Sequence, residues 1–350
     1  MFRDKNFQVT NIAELGEFKL IEHLTEGIKI KNSSTKKAVG DDAAVIKSAK
    51  TQVVTSDLLT EGIHFDLTYT PLKHLGYKAV VVNISDIYAM NAHPKQILVS
   101  IAVSGKISVE ALEQLYEGIY LACDKYGVDL VGGDTSSSLT GMTISITAIG
   151  EAAKDKIVYR SGAKETDIIC VSGDLGAAYM GLQLLEREKK IMQETGSSIQ
   201  PDFAGKEYVL ERFLKPEARK DIIEFFEKEN IKPTSMIDIS DGLSSELHHI
   251  CKQSDVGCRI YNGKIPIDLT TGMLVEEFNL EALIPALNGG EDYELLFTLP
   301  VSDYDKIKDN KQIRVIGHIV DKSEGLSLVT EDGNFIDLKA QGWNHNETNL

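Results

Sequence analysis

LKHLGYKAVVVNISDIYAMNAHPKQILVSIAV, residues 72–103, reads as a helix over 72–89 followed by a strand over 96–103. Outward from it the same rhythm recurs. Short β-branched runs predict strands at 43–46, 52–56, 142–149, 168–171, 236–239, 294–299 and 313–319, and amphipathic patterns predict helices at 109–126, 175–186, 216–229 and 243–253. Pro216 would open its helix at a first turn, where no N–H is required. Strands alternating with helices exclude a bundle or a β-sandwich and point to an α/β or α+β protein.

The chain has 350 residues, long enough for two domains. The polar segment 151–164 reads as a hinge and sets the boundary near Ala152, giving domains 1–151 and 152–350. Residues 193–206 gather Gly, Ser, Pro and Asp and read as a surface loop. An apolar fraction of 42% and a charged fraction of 26% are those of an ordinary globular chain. A net charge of −16 without basic runs excludes nucleic acid as a partner. A polyphosphate ligand would then need divalent cations between the two sets of negative charge. No apolar leader or membrane span is present, so a cytoplasmic location is expected. Cys123, Cys170, Cys251 and Cys258 lack a Cys-x-x-Cys spacing and suit buried, reduced thiols.

Aspartates recur at apparent turns: Gly40-Asp41-Asp42, Thr55-Ser56-Asp57, Asn83-Ile84-Ser85-Asp86, Gly132-Gly133-Asp134-Thr135 and Asp238-Ile239-Ser240-Asp241-Gly242. One such turn is only a turn or a helix cap, and Asp42 and Asp66 keep that reading. Five together, several after apolar strands, suggest a common rim of carboxylates. Gathered carboxylates repel one another, and Mg²⁺ with its preference for oxygen ligands and substrate phosphates removes that cost. Thr55 and Ser56 offer hydroxyls, and the glycines beside Asp41 and Asp134 leave room for phosphate.

The P-loop, the full protein-kinase set and the Gly-x-Ser-x-Gly elbow are all absent. Ser172-Gly173-Asp174-Leu175-Gly176 reads as tight packing of a helix on a strand. Arg160, in Tyr159-Arg160-Ser161-Gly162, is either a phosphate clamp or a solvated hinge residue. His64 and the turn Gly289-Gly290-Glu291-Asp292 admit both structural and ligand-contact readings.

In order, Gly40-Asp41-Asp42-Ala43-Ala44, Thr55-Ser56-Asp57 with His64-Phe65, Asn83-Ile84-Ser85-Asp86, Gly132-Gly133-Asp134-Thr135, Arg160-Ser161-Gly162-Ala163, Ile237-Asp238-Ile239-Ser240-Asp241-Gly242-Leu243 and Gly289-Gly290-Glu291-Asp292-Tyr293-Glu294-Leu295 resemble the thiamine-monophosphate kinases. The likeness spans residues 15–343. It implies an α+β, α/β-like, two-domain fold similar to aminoimidazole ribonucleotide synthetase, with an N-terminal mixed sheet, a C-terminal α/β sandwich and dimerisation through the N-terminal domains. It also implies ATP-dependent phosphorylation of thiamine monophosphate to thiamine diphosphate. On the same grounds Asp41, Thr55, Ser56, Asp57, Asp86, Asp134, Asp238 and Asp241 would hold several Mg²⁺ ions. Tyr116, Gly133, Asp134, Arg160 and Ser240 would meet ATP, and His64, Glu291 and Trp343 the thiamine side. Asp57, Asp86, Asp241 and Arg160 would carry the catalysis. Ser56 stands where the family often has threonine. Other enzymes of the superfamily (aminoimidazole ribonucleotide synthetase, selenide water dikinase, the hydrogenase maturation type) and a non-catalytic Mg-nucleotide binder are the alternatives.

Overall fold

The computed structural model describes residues 10–39, 43–195, 201, 203–281 and 283–339. Two compact units emerge, one of Met1–Ile87 with His93–Ala152, the other of Tyr88–Ala92 with Ala153–Leu350.

The first unit runs α1 (Ile12–Thr25), β1 (Thr35–Lys37), β2 (Val45–Ile46), β3 (Thr51–Thr60), α2 (Leu72–Ala89, its end counted with the second unit), β4 (His93–Val103), α3 (Val109–Tyr126), β5 (Asp129–Ser137) and β6 (Thr143–Ala152). Its four-stranded sheet has the order β3-β6-β4-β5, with β4 and β5 parallel and the other pairs antiparallel. Ser108 caps α3 by accepting the Ala111 N–H at 3.2 Å, and left-handed Gly127 ends it. Along α2, Leu75, Val80, Val81, Asn83, Ile84 and Ser85 are all inaccessible to solvent, as expected of a helix with protein on every side. It crosses α3 at two facing glycines. A Cβ on Gly76 would lie 1.9 Å from the Leu115 carbonyl oxygen, and one on Gly118 would lie 1.9 Å from that of Lys73.

The second unit runs β7 (Ile168–Ser172), α4 (Ala177–Thr195), α5 (Glu207–Leu214), α6 (Lys220–Lys228), β8 (Ser235–Asp238), α7 (Leu243–Ser254), β9 (Gly257–Tyr261), α8 (Leu269–Glu277), α9 (Leu283–Asn288), β10 (Leu295–Leu299), α10 (Tyr304–Ile307), β11 (Ile313–Val320), β12 (Leu326–Val329) and β13 (Phe335–Asp337). Seven strands form one sheet, β13-β12-β9-β11-β7-β10-β8, antiparallel except for the parallel pair β9 and β12. Helices cover both faces. Phe226 of α6 packs edge-on against Phe297 of β10 at 5.0 Å, and Leu247 and Ile250 of α7 join the core with Leu296. A smaller cluster of Met180, Leu184, Val209 and Leu274 ties α4, α5 and α8 together.

Five expectations need correction. Thr55-Ser56-Asp57 lies inside β3, Asn83–Asp86 inside α2 and Gly132–Thr135 inside β5, so three of the five acidic motifs are not turns. Glycine and serine hide β5 from any propensity reading. It forms because its backbone pairs with β4, so closely that a Cβ on Gly133 would sit 1.7 Å from the Val99 carbonyl oxygen. The helix expected over 216–229 spans only Lys220–Lys228, because Arg219 stands at its cap with its guanidinium bound to Asp221 and Glu294. The helix expected over 175–186 starts at Ala177 and continues to Thr195 through the charged stretch that follows Leu185.

Replacing Gly118 by alanine forces α2 and α3 apart. Overpacking of this kind costs about 1–3 kcal/mol, so Gly118→Ala lowers the urea denaturation midpoint, and an unchanged midpoint would show that the helices do not meet there.

Candidate active site

On β3 the side chains alternate, and Val53, Thr55, Asp57 and Leu59 turn toward the helices while Val54, Ser56 and Leu58 stay more open. α2 meets the inner set with residues three apart. Asn83 Oδ1 accepts the Asp57 backbone N–H at 3.0 Å, and the Thr55 hydroxyl donates to Asp86 Oδ2 at 2.5 Å. β3 is the edge strand of its sheet, so the Asp57 N–H has no strand to pair with on that side and a side chain must satisfy it. Asn83 is held in turn by donating to the Ala79 carbonyl at 3.1 Å. Burial, and after it the charge of Asp86, push the Asp57 carboxyl up to about 6.

Ser56 does not join this group. Its hydroxyl lies across the sheet from Asp57, near Thr147 Oγ1 at 3.0 Å and Ile146 O at 3.2 Å. Asp134 is set apart as well. Asp57, Ile146, Val99 and Gly133 share one row of the sheet, which puts Asp134 beside Ser100 on the other face. Three strand spacings, about 14 Å, separate it from β3. Among the described residues no group of three His, Cys, Asp or Glu gathers to hold a metal. Asp41 lies outside the described residues, as does Trp343. Tyr116 is a core residue of α3, 6% exposed and edge-on to Tyr120 at 6.2 Å, because helical periodicity puts it beside Leu112, Leu115 and Ile119. His64 lies just beyond β3, where its Nδ1 accepts the Thr60 N–H at 3.1 Å. That bond places the proton of a neutral ring on Nε2. Asp66 accepts the Thr68 N–H at 2.7 Å, the turn role expected of it.

In the second unit Asp238 ends β8, only 3% exposed, and the chain then turns through Ser240, Asp241 and Gly242 into α7. The opposing turn is stitched to it. Glu291 N–H donates to Ser240 O at 2.7 Å, Tyr293 N–H to Ile239 O at 2.9 Å and Ile239 N–H to Glu294 O at 2.7 Å. Glu291 and Tyr293 both hold positive φ, at 57° and 52°, a conformation side chains avoid unless the surroundings impose it. The imposing group lies just behind them. Glu294, buried, takes Arg212 at 2.9 Å, Arg219 at 2.5 Å and the Ser172 hydroxyl at 2.5 Å, and Asp292 accepts the Gly176 N–H at 2.7 Å. Arg160 is exposed, and both its charge and that of Asp241 act on His249, whose pKa burial lowers.

Two further residues hold these segments in place. Asn83 of α2 fixes β3 at Asp57. Glu246 accepts the N–H groups of Ser240 and Asp241 at 3.1 and 2.8 Å, and burial pushes its carboxyl up to about 7. No capping-box spacing marks it, since the cap is Gly242 and the glutamate stands four residues on.

Residues 40–152 match the family model of AIR synthase related proteins, N-terminal domain. The thiamine-monophosphate kinase of Bacillus subtilis (strain 168) is 34% identical over 338 residues, covering 95% of this chain and 99% of that protein. Among solved structures, one described as AaThiL complexed with AMPPCP and TMP has a TM-score of 0.73 at 31% identity, covering 97% of this chain and all of that one. The thiamine-monophosphate kinase of Stenotrophomonas maltophilia K279a has a TM-score of 0.75 at 27% identity, covering 91% of this chain and 95% of that one. With its α+β, aminoimidazole ribonucleotide synthetase-like fold and this whole-length kinship, the chain belongs to the thiamine-monophosphate kinase family of enzymes.

Proposed function

We propose that the chain catalyses ATP-dependent phosphorylation of thiamine monophosphate to thiamine diphosphate, the last step in making that cofactor. The whole-length kinship to a structure named for both AMPPCP and TMP is the observation that carries this reading.

The donor set fits Mg²⁺. Thr55, Asp57 and Asp86 are hard oxygen donors brought together where burial and mutual repulsion raise the Asp57 carboxyl, a cost that a divalent cation relieves. In this reading Thr55, Asp57 and Asp86 hold Mg²⁺ in the first unit and Asp238 and Asp241 in the second, with Asp41 and Asp134 adding further carboxylates. When bound, such ions neutralise phosphate oxygens. Arg160 would add a guanidinium for the nucleotide phosphates, and Ser240, Gly133 and Asp134 would each contact the nucleotide. His64, with Nε2–H as donor, Glu291 and Trp343 orient the thiamine side, an indole suiting a cationic thiazolium. The acceptor phosphate has a second pKa of about 6, so its oxygen attacks the γ-phosphoryl group with no side chain needed as base. Transfer is then direct and in line, the bond from the γ-phosphorus to its bridging oxygen breaking and ADP leaving as the new P–O bond forms, without a phosphoenzyme.

We further infer a homodimer formed through the open face of the N-terminal sheet. There Val54 and Leu58, 61% and 56% exposed, stand beside Ser56, Ser145 and Thr147, a flat surface of apolar and small side chains. A cytoplasmic setting accords with four buried, unpaired thiols, and no described helix is long and apolar enough to cross a membrane.

Asp57→Ala cuts ADP release in the presence of thiamine monophosphate by orders of magnitude at every Mg²⁺ concentration while its circular dichroism stays that of the parent; near-normal turnover refutes the assignment. Trp343→Ala raises KM for thiamine monophosphate and leaves KM for ATP unchanged, and an equal rise in both would remove the stacking role. In light scattering the parent has twice the chain mass, and Leu58→Glu shifts it to the monomer; a monomeric parent would end the dimer reading.

A further inference from the structure

We propose that Glu246 is a positioning residue whose carboxylate fastens the Ser240–Asp241 backbone in the form that receives the nucleotide. This rests on the reading, given under Proposed function, that the loop meets ATP.

Glu246 lies one turn into α7, where it is 1% exposed. Its Oε1 accepts the Ser240 N–H at 3.1 Å, the Asp241 N–H at 2.8 Å and, more loosely, the Ser240 hydroxyl at 3.4 Å. Gly242 stands at the cap of α7 and offers no side chain for this purpose. A serine or aspartate at that position would cap the helix from the surface, without taking a carboxylate out of water. Here a whole carboxylate is buried instead, and its Oε2 has no hydrogen-bond partner among the described residues. The bond is therefore made at a cost that helix capping alone does not require.

What the arrangement achieves is control of the loop from two sides. Glu246 holds its N–H groups, while on the other side the Ser240 carbonyl accepts the Glu291 N–H at 2.7 Å. Gly290 packs so closely there that a Cβ on it would lie 2.5 Å from Ser240 O. With the backbone fixed on both sides, the side chains of Ser240 and Asp241 remain exposed. A preformed loop loses little freedom when a ligand binds, which is how a residue that touches no substrate can still set affinity.

The test uses the full-length enzyme and the variants Glu246→Gln and Glu246→Ala. Three quantities are measured: steady-state KM for ATP and for thiamine monophosphate, the AMPPCP Kd by calorimetry, and hydrogen exchange of the 239–242 segment without ligand. Glutamine keeps an oxygen facing both N–H groups and restores most of the parental behaviour. Alanine raises KM for ATP and the AMPPCP Kd by about ten-fold, the loss expected on removing hydrogen bonds to a carboxylate. It leaves KM for thiamine monophosphate unchanged and accelerates exchange within 239–242. An equal rise in both KM values, or unaltered AMPPCP affinity in Glu246→Ala, overturns the proposal, as does a glutamine variant as impaired as alanine. If the parent binds no AMPPCP the functional reading itself has failed, and exchange in 239–242 that is the same in Glu246→Ala as in the parent then overturns the fastening role separately.

Discussion

Helix α2 is buried on every side, and that burial decides how the first unit presents its acidic residues. A polar group inside such a helix must find a partner or cost a few kcal/mol, about 1–3 by mutational measure. Asn83 and Asp86 find theirs on β3, three residues apart on the helix and two apart on the strand. The match of a 3.6-residue period to a 2-residue period holds over this short reach, so two bonds are enough to lock the strand edge against the helix. The glycine crossing of α2 and α3 serves the same end by letting α2 sit deep enough for its side chains to reach.

The second unit reaches rigidity by another route. Its loop after β8 is held by straps, a glutamate from α7 on one side and a strained turn on the other. Positive φ at Glu291 and Tyr293 is sustained because Glu294 is gripped by two arginines and a serine, an arrangement in which each buried charge has an opposite charge and a hydrogen bond. Losing one partner of such a group strands the rest, so the strain in the turn and the buried ions behind it are one construction.

How much of this was legible varied with the signal. Helices 72–89 and 109–126 were readable to the residue because the first is a long apolar run behind Pro71 and the second a periodic apolar run between a capping serine and a glycine. β5 was not, since its Gly-Gly-Asp-Thr-Ser-Ser sequence is what a turn looks like and only pairing with β4 makes it a strand. The motifs named the acidic residues, yet not their faces. In Val53-Val54-Thr55-Ser56-Asp57-Leu58-Leu59 both alternations are equally apolar, so which set turns inward is decided by α2 and not by the strand itself. Tyr116 shares its helix face with Leu112 and Leu115, a position that the resemblance by itself does not reveal. Arg212, Arg219 and Glu294 lie up to 82 residues apart in sequence and their meeting depends wholly on the tertiary fold.

A chain of net charge −16 faces repulsion among its own carboxylates. Distributing the acids lessens it. Among the described residues of the first unit Asp57 and Asp86 form a pair, and Asp134 lies across the sheet from it. At Asp57 the surrounding protein and its neighbour Asp86 already hold the carboxyl near 6, above the usual carboxylate range. A third carboxylate brought to the pair without a cation would raise it further. In each unit a side chain bonded to backbone, Asn83 in the first and Glu246 in the second, fixes the segment that carries the acids.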